Sequence, residues 1–272
     1  MTANWSSLSQ AERDAAYNNN GAVANSAALI IRRNALAQAY RAANPRGLDI
    51  PYGAGERNKW DLFAGSDASA PCLVFIHGGY WQRNAREDFS HLAGGIRAHG
   101  WSVAMPGYSL APDATLTEIV GELRLALDWL AKEGPAHGIA PRRLVVSGWS
   151  AGGHLTAMML SHPRVDAGLA ISGVYELGPI RDTGLNEKLR LSDEEIANLS
   201  PLRLPVVAKP LTIAFGAKEL PALVGDSRSL HALRTRQKAP GPLIEIAGAD
   251  HFTILEQLEQ PDGLLVKAAL AI

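Results

Sequence analysis

Ser150 stands in Gly148-Trp149-Ser150-Ala151-Gly152, a G-x-S-x-G frame in which a sharp strand-to-helix turn exposes a serine hydroxyl in strained backbone geometry. Its flanks suit that use. Leu144, Val145 and Val146 make a short apolar run before it, and Leu155, Met158 and Met159 recur at helical spacing after it. The pentapeptide alone leaves an ordinary turn serine open as the alternative. A serine hydroxyl is a weak nucleophile at neutral pH and needs a neighbouring base. Of the eight histidines, His251 is the best placed, in a loop after the last expected strand. His91, His99, His137 and His231 fall on expected helices or their ends and read as surface residues. A third group must orient the imidazole and stabilise its charged form, and where a G-x-S-x-G turn is used the chain order is serine, acid, histidine. Glu219, in the turn after the penultimate expected strand, fits that order. Asp226, deeper in the following helix, is its rival, and Asp250 adjoins His251 too closely in sequence to reach its ring. Acyl transfer also needs backbone N–H groups aimed at a developing oxyanion. Ala151 can supply one, and the turn His77-Gly78-Gly79-Tyr80-Trp81 others, through Gly78 and Gly79.

The elements that must position these groups follow from hydrophobic patterning. Segments 48–52 and 59–63 read as an antiparallel hairpin, and 72–76, 103–105, 144–146, 168–171, 211–215 and 243–246 as further strands. Helical patterns fill most gaps, over 85–99, 116–132, 151–162, 222–237 and 252–260. Such alternation predicts a mostly parallel central sheet of about eight strands with helices on both faces. Residues 1–45 form a helical preface. Ser9 and Glu12 are spaced as a capping box, and an alanine-rich helix runs over 25–41 until Pro45 and Gly47 stop it. This preface is either a structural strap or a lid. Residues 175–205 lack a strand and read as an insertion near the site, with a short helix beginning after Ser192.

Composition narrows the partners. The 272 residues suit one α/β domain over 1–272, and a formal net charge of −1 gives no electrostatic reason to bind nucleic acid or an anionic membrane. The single cysteine, Cys72, excludes an internal disulfide and cysteine-based metal clusters. Metal, nucleotide and dinucleotide motifs are absent, so no cofactor and no metal are expected. The expected partner is a small amide or ester, possibly aromatic, and the expected location the cytoplasm. A homodimer is possible.

Taken together, His77-Gly78-Gly79-Tyr80-Trp81, Gly148-Trp149-Ser150-Ala151-Gly152 and Gly248-Ala249-Asp250-His251-Phe252 resemble the α/β-hydrolase superfamily, specifically its kynurenine formamidase (arylformamidase)-like and carboxylesterase branch. The likeness covers nearly the whole chain. Tyr17-Asn18-Asn19, Tyr108-Ser109-Leu110-Ala111-Pro112 and Ser172-Gly173-Val174-Tyr175 resemble family segments. Trp149 departs from the histidine common at that place in the elbow. The resemblance implies an α/β-hydrolase fold, with Ser150 as nucleophile, Glu219 as acid and His251 as base, and Gly78, Gly79 and Ala151 at the oxyanion hole. It implies hydrolysis through an acyl-enzyme, of an N-formyl arylamine such as N-formylkynurenine. A general short-acyl carboxylesterase needs the same machinery, and a non-catalytic receptor on the same scaffold is the alternative from another class. Tyr80, Trp81, Trp149, Tyr175 and Phe252 adjoin expected site positions and are candidates to stack on a planar substrate, or to pack the core.

Overall fold

A computed structural model describes residues 5–272. Eight strands form one sheet: β1 (Ile50–Pro51), β2 (Lys59–Phe63), β3 (Cys72–Ile76), β4 (Ser102–Pro106), β5 (Leu144–Trp149), β6 (Ala167–Ile171), β7 (Leu211–Gly216) and β8 (Leu243–Ile246), in the order β1-β2-β4-β3-β5-β6-β7-β8. The expected hairpin is there, with Pro51 opposite Lys59, and β2 runs antiparallel to β4. All later neighbours are parallel. The helices are α1 (Gln10–Ala16), α2 (Asn19–Ala22), α3 (Ser26–Ala43), α4 (Ala93–Arg97), α5 (Leu116–Glu133), α6 (Ala151–Met159), α7 (Gly178–Arg181), α8 (Asn186–Leu189), α9 (Asp193–Leu199), α10 (Pro221–Arg236), α11 (Glu256–Glu259) and α12 (Leu264–Ala271).

Strand side chains alternate between two apolar cores, as a pleated sheet requires. On β3, Val74 and Ile76 face a core shared with α5, α6 and α10, whereas Leu73 and Phe75 face Phe89, Ile96, Leu258 and Val266 on the other side. Among the described residues no helix is long and apolar enough to cross a membrane.

Three segments depart from the expected elements. The helix expected over 85–99 divides into a 3-10 turn, Arg86–Leu92, and the short α4. A side chain at Gly95 would strike the Leu258 carbonyl oxygen, so this stretch runs hard against the C-terminal region. The helix expected over 252–260 also divides, because the Asp250 carboxylate accepts from the Phe252 and Thr253 N–H groups and tightens the entry. Beyond Pro261, α12 was not anticipated.

The preface is bound to the body by charge. The capping box at Ser9 forms as its spacing predicts, and the short helix expected after Ser192 is α9, which carries a second capping box through Glu195. Asp61 on β2 is fully buried and bonds the guanidinium groups of Arg41 on α3 and Arg86 on the following turn, the latter at 3.2 Å, and accepts from the Asp49 N–H at 3.1 Å. Asp61→Ala takes the buried carboxylate from Arg86 and from the partly buried Arg41 and leaves both only the more exposed Asp49 and, for Arg86, Glu87, so it is expected to cost about 2–3 kcal/mol, below the full loss of a buried pair. The urea midpoint would fall accordingly with the slope unchanged.

Candidate active site

The polar groups of interest all lie just beyond the carboxyl ends of parallel strands, where an open α/β sheet gathers its loops. Ser150 follows β5, Glu219 lies three residues past β7, and His251 five residues past β8. Ser150 has φ 59° and ψ −119°, a left-handed conformation costing roughly 1–3 kcal/mol that packing must hold. Its N–H donates to the Ile171 carbonyl at 2.8 Å, and its carbonyl accepts from His154 N–H at 3.1 Å, locking the turn between β6 and α6. Only glycine fits at 152, because a Cβ there would collide with the Ile76 carbonyl oxygen.

The three side chains singled out by chain order form one line of hydrogen bonds. Ser150 Oγ lies 3.1 Å from His251 Nε2, and His251 Nδ1 lies 3.0 Å from Glu219 Oε2. A carboxylate only accepts, so the Nδ1–H tautomer fits: it donates to Glu219 and leaves Nε2 to accept from the serine hydroxyl. The other glutamate oxygen accepts from Ser172 Oγ at 2.5 Å and Gly216 N–H at 2.7 Å. Glu219 therefore has both oxygens held, with its side chain fully buried. Trp149 supports the histidine from the opposite side, donating from Nε1 to the His251 carbonyl at 2.7 Å.

The rival acids do other work. Asp226 accepts from the Tyr175 and Glu176 N–H groups at 2.6 and 3.1 Å, tying α10 to the loop after β6. Burial pushes its carboxyl up to about 7 against those two donors. Asp250 caps its own turn. Neither bonds to His251.

The glycine turn lies against the serine. A Cβ on Gly78 would strike the Trp149 carbonyl oxygen and come within 2.9 Å of Ser150 Cβ. The Gly78 carbonyl is held by two groups, His77 Nδ1–H at 2.9 Å and Asn84 Nδ2–H at 3.0 Å. Because the peptide is planar and trans, its C=O and the next N–H point opposite ways, so holding the Gly78 carbonyl also fixes the direction of the Gly79 N–H. Among the described residues nothing accepts from the N–H groups of Gly79, Tyr80 or Ala151. His77 itself is buried, stacked on Tyr108 with ring centroids 4.2 Å apart, and burial lowers its imidazole to about 3, keeping it neutral.

Ser150 and His251 open onto a cavity of about 70 Å³, also lined by Gly79, Tyr80, Trp149 and Phe252. Asn19, Asn20, Ile30 and Arg33 of the preface close it, so this segment covers the site. A second cavity of about 230 Å³ adjoins it across Asn19, Asn20, Tyr80 and Arg83, walled by Tyr17, Thr183 and Leu185. Of the five aromatic candidates, Tyr80, Trp149 and Phe252 face the first cavity. Trp81 and Tyr175 do not. Both are fully buried in the core, Trp81 edge-on to His154 with centroids 5.0 Å apart. His91 also corrects its surface reading: it is buried with Nε2 3.5 Å from Glu259, while His99 and His137 are exposed.

Sequence reasoning missed Ser172, Asn84, Arg33 and Arg83. Ser172 carried a signal, since it opens the segment following β6. Arg83 and Asn84 directly follow the glycine turn, and Asn84 bonds back to the Gly78 carbonyl, whereas Arg33 carried no signal because it comes to the site from a distant segment.

With this geometry in view, similarity to known proteins becomes informative. A family profile named BD-FAE matches residues 61–167. The kynurenine formamidase of Danio rerio is 29% identical over 239 residues, covering 82% of this chain and 80% of its own. A solved structure of a candidate thioesterase from Silicibacter sp. is 31% identical, with a TM-score of 0.84 over 94% of this chain and 98% of that one. The chain belongs to the α/β-hydrolases, in their formamidase/esterase branch. Esterase B from Lactobacillus rhamnosis, at 18% identity, shares the fold with a TM-score of 0.71 over 96% of this chain and 94% of its own. As an α/β-hydrolase of this branch the protein is a hydrolytic enzyme.

Proposed function

We propose that this α/β-hydrolase removes a very small acyl group, formyl foremost, from an arylamine through an acyl-enzyme on Ser150. The observation that carries the choice is the cavity of about 70 Å³ at the serine beside a roomier one of about 230 Å³. The first suits a one-carbon acyl group and the second a ring-bearing leaving group. Similarity to the Danio rerio kynurenine formamidase over most of both chains supports the same choice.

In this reading Ser150 Oγ attacks the formyl carbon while its proton passes to His251 Nε2, and Glu219 stabilises the imidazolium. The carbonyl oxygen becomes an oxyanion facing the N–H groups of Gly79 and Ala151, each donor worth roughly 2.7–4 kcal/mol. His251 then gives its proton to the departing nitrogen as the C–N bond breaks. Water attacks the formyl-serine with His251 again as base, releasing formate and restoring the hydroxyl. Tyr80, which lines both cavities, flanks the aryl group, and Trp149 and Phe252 wall the acyl side.

Gly78 sets the approach of the turn to the serine. Gly78→Ala, which must displace either Trp149 or the turn, is expected to reduce kcat/KM at least about 100-fold, comparable to losing one oxyanion donor. An unchanged circular dichroism spectrum alongside that loss checks that the fold persists.

A short-acyl carboxylesterase uses the same groups, and esterases share the fold. Turnover of N-formylkynurenine against p-nitrophenyl acetate separates the two. Formamide cleavage beneath detection beside rapid ester cleavage would sink the deformylase reading.

A further inference from the structure

The cavity at Ser150 is lined by two arginines and no exposed acid. Arg33, from the middle of α3, is buried to 8% exposure. One face of its guanidinium lies over the Phe89 ring, 4.3 Å from the centroid. Its polar contacts are to neutral groups: Nε and Nη2 donate to Asn34 Oδ1 at 3.0 and 2.8 Å, and Nη2 reaches Asn84 Oδ1 at 3.4 Å. The nearest carboxylate, Asp88, is 4.0 Å away, and its Oδ2 already accepts from the Ala85 N–H. Among the described residues nothing accepts from Arg33 Nη1. Burial lowers this guanidinium from its usual value, with Asp88 opposing weakly. A buried cation without a close counter-ion is costly and is ordinarily retained where an anion will join it.

Arg83 stands at the boundary of both cavities. It is exposed, and among the described residues no carboxylate lies within ion-pair distance of it. The one acid on the wall of the larger cavity, Asp14, is engaged by the Gly184 N–H at 2.8 Å and Gln10 Nε2 at 3.0 Å. Arg33 in the cavity at the serine and Arg83 where the two cavities meet therefore come from different elements, each able to meet a carboxylate with a planar fork of donors.

We propose that Arg33 and Arg83 form a carboxylate-binding subsite, so that the enzyme selects substrates whose leaving group carries an anionic carboxylate. This rests on the hydrolytic reading of Ser150, and it deepens that reading by naming the substrate class. It holds for either acyl chemistry.

The test uses the full chain and two matched pairs: 3-formamidobenzoate with its methyl ester, and 3-acetoxybenzoate with its methyl ester. The acid is expected to exceed its neutral partner in kcat/KM at least about tenfold in the wild type, one to two charge-assisted hydrogen bonds. In Arg33→Met and in Arg83→Gln the ratio should fall below about threefold. A wild-type ratio at or below one would overturn the subsite. Equal losses on both members of a pair, the signature of a merely structural arginine, would overturn it as well. Arg83 is exposed, so Arg83→Gln remains readable should Arg33→Met fail to fold. Inert formamides beside an acetoxy pair that keeps its preference would reject the deformylase reading while leaving the subsite standing. Should neither pair turn over, protection of Ser150 from fluorophosphonate labelling decides. Benzoate should protect at lower concentration than benzamide, and equal protection, or none, rejects the subsite.

Discussion

Ser150→Ala is expected to lower kcat/KM about 10⁶-fold, the scale on which loss of a triad nucleophile acts. The expectation follows from what the Oγ does and what surrounds it. The elbow holds the residue at φ 59°, so the hydroxyl stands in the cavity, 3.1 Å from His251 Nε2, the imidazole nitrogen placed to accept its proton. Alanine keeps the backbone and removes one hydrogen bond, so folding should be little changed. What survives is turnover by water held near the oxyanion donors and the bound leaving group. A fluorophosphonate should add once to the native protein and not at all to the variant, as read by intact mass. A native protein that stays unlabelled would reject the enzyme reading and favour a receptor on the same scaffold.

How far the sequence could lead is visible in the same residues. Ser150, Glu219 and His251 were legible because each follows a strand whose apolar run is unmistakable, and because chain order restricts which acid can follow. The sheet was legible for the same reason, since five-residue runs such as that of β3 can only be buried on both faces. The 3-10 turn at Arg86–Leu92 and the split near Thr253 were not, because both depend on packing between distant segments. Trp81 and Tyr175 adjoin site residues in sequence yet turn into the core. Adjacency along the chain does not fix which way a side chain points where the backbone is irregular. Arg33 shows the converse. The residues that α3 buries are Ser26, Arg33 and Ala37, a stripe with almost no hydrophobic signal, so periodicity is silent about the face that covers the site.

Glu219→Gln separates the two acids that sequence reasoning left in competition, and it is expected to cost about 10⁴-fold in kcat/KM. The size follows from hydrogen-bond direction. Gly216 N–H is a fixed donor to one glutamate oxygen at 2.7 Å, so a glutamine at 219 must place its carbonyl oxygen there. Its NH₂ group then faces His251 Nδ1, where the carboxylate had accepted at 3.0 Å. Two donors cannot share that position, and the ring is driven to the tautomer that carries its proton on Nε2. That tautomer offers Ser150 a hydrogen and no lone pair, so the base is lost although every heavy atom keeps its place. Asp226→Asn alters a carboxylate whose hydrogen bonds, among the described residues, are those from the Tyr175 and Glu176 N–H groups, and an asparagine oxygen still accepts from both. Its turnover is expected to stay within about tenfold of the wild type, a change no larger than about 1.4 kcal/mol. The ¹⁵N shifts of His251 provide an independent reading: the Nδ1–H signature should move to Nε2–H in Glu219→Gln and remain in Asp226→Asn. A collapse of activity in Asp226→Asn with Glu219→Gln active would transfer the orienting role to Asp226, and the 3.0 Å contact to Glu219 would then be structural only.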